Sequence, residues 1–117
     1  MVSQIESAHV KTGFSNQIGN KGGVGISFRV GATSLLLLTA HLASGHTAVE
    51  QRNRSMERIE RHMPLPIDGP HIGRVSERFD NVLLLGDLNY RIDGAISDVT
   101  EALRGGLHEL LLENDQL

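Results

Sequence analysis

Cysteine and tryptophan are absent, tyrosine occurs once, and phenylalanine and proline occur three times each in 117 residues. Without cysteine there is no disulfide framework and no thiolate metal site, a composition compatible with the cytosol. Aromatic residues make up 3% of the chain against 39% hydrophobic residues in all, so any core must be aliphatic. There is no excess of positive charge. The net charge of -3 argues against a generic polyanion binder and leaves phosphate recognition to a few placed groups. Long apolar runs are also missing. Leu35–Leu38 and Val82–Leu85 are strand-sized, far below the roughly 18–20 residues that span a bilayer. The opening MVSQIESAHV has no basic stretch followed by an apolar one, so it does not read as a secretory signal. No internal repeat or low-complexity tract is present, and the length suits one small domain.

What is there centres on Asn81–Asp93, NVLLLGDLNYRID. The run Val82–Leu85 stops at Gly86, a pattern that predicts a strand buried on both faces. Asp87, Asn89, Tyr90 and Arg91 follow it. A buried strand that delivers a carboxylate, an amide and a guanidinium at its end builds a site on a rigid support. Asp87 and Asn89 are two apart, so in extended chain they point the same way. Spacing alone equally fits a turn with a solvated arginine.

Residues 1–12 alternate weakly and allow a strand. The glycine-rich SNQIGNKGGVG follows, where backbone N–H groups could cradle an anion and Lys21 could add charge. A plain glycine turn before a strand reads the same way, and no Walker pattern is present. Gly25–Val30 and Thr33–Leu42 read as two strands joined at Gly31-Ala32 in a tight antiparallel hairpin. Ile26, Phe28 and Val30 alternate with Ser27 and Arg29, a half-exposed pattern, whereas SLLLLTAHL is apolar throughout and central. His41 closes it, a position that also suits a structural histidine.

Thr47-Ala48-Val49-Glu50 fits a capping box, which predicts a helix from about Ala48 to His62. Val49, Met56, Ile59 and Met63 share one face. Glu50–Arg54 and Glu57–Arg61 are favourable i,i+4 pairs, so the charges mark a solvated face. Pro64 and Pro66 stop the helix. Residues 64–78 hold all three prolines and read as a surface loop, the most mobile internal region. Asp98 can cap a helix from about Val99 that Gly105-Gly106 ends, and Leu107, Leu110 and Leu111 start another helical stretch.

Three stretches, in order, carry a resemblance: Gly19–Val24 (GNKGGV), Thr39–Ala43 (TAHLA) and Gly86–Arg91 (GDLNYR). Together they resemble the inositol polyphosphate 5-phosphatases of the endonuclease/exonuclease/phosphatase superfamily, over about residues 8–117. The chain would then be a single partial domain, the middle of a catalytic domain. The implied fold class is α/β, part of a four-layer α/β sandwich with mainly antiparallel strands and flanking helices. The implied reaction is metal-assisted hydrolysis of a phosphomonoester, the 5-phosphate of inositol polyphosphates or phosphoinositides. Asp87 would orient and deprotonate the attacking water, Asn89 would donate to the phosphoryl group or fix the water, and His41 would donate to a non-bridging oxygen. Asn20 and Lys21 lie near the implied substrate pocket, and Lys21 and Arg91 would hold substrate phosphates or support the loop. Arg52-Asn53 matches a family pair with no role carried over. The resemblance implies Mg2+, with most of its ligands outside this chain, and the isolated chain is expected to be inactive. It implies an inositol phosphate or phosphoinositide headgroup as partner, no nucleic acid, and a cytoplasmic protein able to meet membrane surfaces peripherally. The rival readings are a catalytically inactive phosphoinositide-binding or scaffold fragment, and a related nuclease. GNKGG together with NYR favours the phosphatase over the nuclease.

Overall fold

The computed structural model describes residues 1–13, 20–66 and 72–117. Their elements are β1 (Val2–Lys11), β2 (Gly22–Val30), β3 (Thr33–His41), α1 (Val49–His62), β4 (Asn81–Asp87), α2 (Ile96–Arg104) and α3 (His108–Glu113), with a 3-10 turn at Val75–Arg78. The sheet runs in the order β1-β2-β3-β4. The first two pairings are antiparallel and β3 with β4 is parallel. This is the mixed α/β sheet with helices that the resemblance implies. The hairpin forms at Gly31-Ala32, with Val30 opposite Thr33. Gly31 takes φ 62, which glycine reaches without a Cβ penalty. A parallel neighbour needs a long crossover, and the chain through α1 supplies it.

The core lies between α1 and one face of the sheet. Leu36, Leu38, Ala40 and Leu42 meet Ile59, Met63, Leu65 and Val75 there. The approach is close because β2 is thin on that face. A Cβ on Gly23 would come within 2.9 Å of Ile59, and one on Gly25 within 2.7 Å of Leu65. The apolar residues Ile26 and Val30 of β2 therefore point to the other face, where they are 41% and 46% exposed, while Ser27 is buried. The expectation that the glycines form an anion-cradling loop is corrected at Gly22–Gly25, which are strand. The other glycine-passage residues, 14–19, lie outside those described.

Val82–Leu85 is a strand, but it is not buried on both faces. Leu83, Leu84 and Leu85 are 50%, 43% and 51% exposed. The reason is position: β4 is the last strand of the four, with no further strand beside it among the described residues. The strand also continues through Gly86 to Asp87. Its start is pinned from the side. Ser34 donates its N–H and its hydroxyl to Asp80 Oδ2, each at 2.7 Å, and the Asp80 N–H donates to Ser34 Oγ at 3.0 Å. The Ser34 backbone bond, then the Ser34 hydroxyl, hold the Asp80 carboxyl below its ordinary value.

The helix α1 matches its expected span, but Thr47 does not cap it. Ala48 is the N-cap residue, without a side-chain bond. Likewise α2 starts at Ile96 with Ala95 as N-cap, so Asp98 lies in the first turn rather than before it. Gly105 ends α2 as expected. The 64–78 segment is not loop throughout. Leu65 and Val75 are fully buried, and Arg78 donates to the carbonyls of Met63, Leu65 and Gly73 at 3.3, 3.4 and 2.9 Å. The expectation of mobility spans the whole segment, of which residues 67–71 lie outside the described residues.

Candidate active site

Two strand ends build the site. His41 closes β3, Asp87 closes β4, and the parallel register sets them side by side. Strand alternation then puts both side chains on one face. The Leu42 N–H donates to the Asp87 carbonyl at 3.0 Å. Gly86 makes this closeness possible. Its φ is +120, and a Cβ there would lie 2.2 Å from the Ala40 carbonyl. Lys21 arrives from the other side, one residue before Gly22, which pairs with His41.

The polar groups meet at His41 Nε2. Lys21 Nζ is 2.5 Å from it and Asp87 Oδ2 is 3.7 Å away. An ammonium can only donate, so Nε2 is the acceptor in this contact. Asp87 is then a Coulombic neighbour rather than a hydrogen-bond partner. The side chains of His41 and Asp87 are 52% and 65% exposed, so the site is open. The set comprises a cation, an imidazole ring and an exposed carboxylate that can take a proton from water.

Asn89 departs from the expected extended geometry. It sits at φ 59, in the left-handed region that asparagine tolerates. Its N–H donates to Asp87 Oδ1 at 3.2 Å, and its side-chain amide donates to the Leu42 carbonyl at 3.0 Å. Asn89 thus ties the two strand ends together instead of pointing alongside Asp87. Asn20 and Lys21 line a cleft with Ala43, Ser44, Gln51 and Ser55. Arg91 lines a different cleft, with His46, Ile92 and Ile96, so the structure does not join it to Lys21.

The sequence reading passed over what lies behind these loops. Arg52 is fully buried and its guanidinium lies 5.2 Å over the Tyr90 ring. Burial raises the Tyr90 hydroxyl above its ordinary value, with Arg52 opposing. The Tyr90 hydroxyl donates to Asn53 Oδ1 at 2.6 Å, so both members of the Arg-Asn pair serve the loop after β4. Gln116 donates to Asp93 Oδ1 at 2.6 Å and to the His46 carbonyl at 3.1 Å. The available signal was helical spacing: Arg52 falls on the stripe of Val49, Met56, Ile59 and Met63.

A hard divalent cation needs several oxygen ligands. Asp87 is the one carboxylate at His41, and no group of three His, Asp or Glu side chains among the described residues could hold a metal. These residues do not make a metal site. No described helix is long and apolar enough to cross a membrane.

The profile of endonuclease/exonuclease/phosphatase family 2 matches residues 1–117. The chain is 36% identical over 116 residues to a human phosphatidylinositol 3,4,5-trisphosphate 5-phosphatase 2, covering 99% of this chain and 9% of the relative. It is 40% identical over 119 residues to the polyphosphatidylinositol phosphatase INP53 of Saccharomyces cerevisiae, covering 99% of this chain and 10% of the relative. Among solved structures it is similar to the inositol polyphosphate 5-phosphatase domain of SPsynaptojanin in complex with inositol (1,4)-bisphosphate and calcium. The TM-score there is 0.79 at 32% identity, covering 98% of this chain and 32% of that one. The chain therefore spans about a tenth of these curated relatives and about a third of the solved domain.

Proposed function

The chain belongs to endonuclease/exonuclease/phosphatase family 2, and from that premise we propose that it carries part of a site that hydrolyses a phosphomonoester of an inositol phosphate or phosphoinositide headgroup. The observation that carries this reading is the meeting of Lys21, His41 and Asp87 at the paired ends of β3 and β4. A phosphate approaching there meets the Lys21 ammonium, a group that neutralises developing oxyanion charge, with the His41 ring beside it. The exposed Asp87 carboxylate can accept the proton of an attacking water. Asn89 holds the loop that presents Asp87. Arg91, in its separate cleft, would take a second phosphate, where its fork suits bidentate contact.

Magnesium is the cation this reading calls for, and its oxygen ligands would come from outside this set. The isolated chain accordingly binds the headgroup without turning it over. Groups that act as a unit lose most of their rate enhancement when members are missing.

The test is a titration of the purified chain with soluble inositol 1,4,5-trisphosphate, followed through the His41 ring signals and the ligand phosphorus signals. Saturable shifts that vanish in Lys21→Met are expected. No shift at either nucleus would overturn the reading. Phosphate release in the presence of Mg2+ is measured beside it. Release that disappears in Asp87→Ala would show that these residues suffice for catalysis, against the incomplete site argued here.

A further inference from the structure

Arg52 is buried without a charged partner among the described residues. Its guanidinium reaches three neutral acceptors: the carbonyls of Ala43 at 3.0 Å and Gly45 at 2.7 Å, and Gln116 Oε1 at 2.6 Å. Its Nε has no acceptor among the described residues. A buried cation held only by neutral groups is costly. An aliphatic residue at position 52, one turn before Ser55 on the buried stripe, would carry no such penalty. What a guanidinium does, and a methionine or lysine cannot, is hold several diverging chain segments in one rigid fork.

Those segments are the ones that carry the site. Ala43 and Gly45 follow His41 and Leu42 directly. Tyr90, under the guanidinium, follows Asn89. Gln116 Oε1 also accepts the Arg91 N–H, at 3.1 Å. Without Arg52 the two loops would keep the Leu42 and Asn89 hydrogen bonds between neutral groups, the Gln116 bridge from His46 to Arg91, and the exposed His46–Asp93 pair at 3.3 Å, none of which is a buried fork.

We propose that Arg52 is the positioning residue of this site. It clamps the loop after β3 to the loop after β4, and so sets His41 and Lys21 against Asp87 and Asn89. The clamp draws its functional meaning from the phosphate-binding reading above, but its geometry can be tested without a ligand.

The experiment is residue-resolved amide hydrogen exchange on the full chain, comparing wild type with Arg52→Lys and Gln116→Ala. Lysine keeps the charge but not the fork. Arg52→Lys is expected to lose protection at the Leu42 and Arg91 amides while the amides paired within the β2–β3 hairpin keep theirs. Equal loss in the hairpin would make Arg52 a general core residue and overturn the proposal. Unchanged protection at Leu42 would do the same. If Arg52→Lys does not fold, Gln116→Ala decides, since it cuts one arm of the clamp from its surface end. The Arg91 amide loses its own acceptor with that side chain, so Leu42 is the readout there, and wild-type protection at Leu42 overturns the proposal. A parallel titration with inositol 1,4,5-trisphosphate separates the two readings. A wild-type chain that does not bind it refutes the phosphate site but leaves the exchange result standing. Binding that is equally tight in Arg52→Lys and wild type refutes the clamp.

Discussion

The two faces of the sheet are made by the same strands and differ in burial, most clearly along β3 and β2, while Leu84 at the β4 edge is 43% exposed even on the α1 side. On the face under α1, Leu36, Leu38 and Ala40 are 0%, 1% and 2% exposed. On the opposite face, Val24, Ile26, Leu83 and Leu85 are 47%, 41%, 50% and 51% exposed. Both are apolar. The difference lies in the covering element, because a strand side chain leaves water only when something lies across it. The face that looks finished is the one where β2 contributes glycine and serine, and the bare face is where it contributes valine and isoleucine.

The comparison can be broken by matched deletions. Leu38→Ala removes atoms from the closed face and should cost about 2–5 kcal/mol, against at most about 1 kcal/mol for Ile26→Ala on the open one. Urea unfolding of both variants checks this, and equal losses would mean that the open face is covered in solution.

Asp80→Asn asks whether β4 is held by its flank rather than by a packed face. The folded Asp80 carboxyl lies below its ordinary value because Ser34 bonds the ionised form. That stabilisation is full above the unfolded value of about 3.9. It is lost as pH falls through the lower folded value. The urea midpoint of the wild type should therefore drop on acidification across that window, and Asp80→Asn should flatten this part of the drop. An identical acid slope in both would remove Asp80 as its source.

The open face should otherwise behave as an aggregation hazard more than a source of stability. Replacing Leu83 and Leu85 by serine is expected to move the urea midpoint little, by no more than about 1 kcal/mol in stability. It should visibly raise the monomer fraction in sedimentation. A monomer fraction no higher than wild type would show that the exposed leucines do not drive association. Smallest of all should be Arg74→Ala, which breaks an exposed pair with Glu57 at 2.8 Å. Such an exposed pair adds little, and less in salt, and the same unfolding assay at two salt concentrations measures it.

The elements themselves were legible. The β2–β3 hairpin, α1 and β4 follow from a two-residue glycine turn, a 3.6-residue stripe and an apolar run. The facing of β2 was not, because apolar alternation shows which residues share a face but not which face another element covers. Gly23, left open between an anion cradle and a plain turn, is a strand residue, and it and Gly25 are thin points under a helix. At the site, the strand-end positions of His41 and Asp87 were readable from where the apolar runs stop. The left-handed turn of Asn89 was not, since an extended chain was assumed past the last strand residue. Arg52 was hidden for the opposite reason: arginines on a helix usually face water, and its burial depends on Ala43, Gly45 and Gln116, which are remote or irregular in sequence.

The parallel pairing of β3 with β4 has a kinetic consequence. The hairpin closes across two residues, while Ser34 and Asp80, which open the β3–β4 ladder, are 46 positions apart. Closing the longer loop carries the greater entropy cost and must wait for α1 to cross the sheet. During refolding, amides of β2 and β3 should thus become protected before those of β4. Lys21 and His41 then stand together early, and Asp87 joins them only when β4 docks, so the reactive constellation is assembled in two steps.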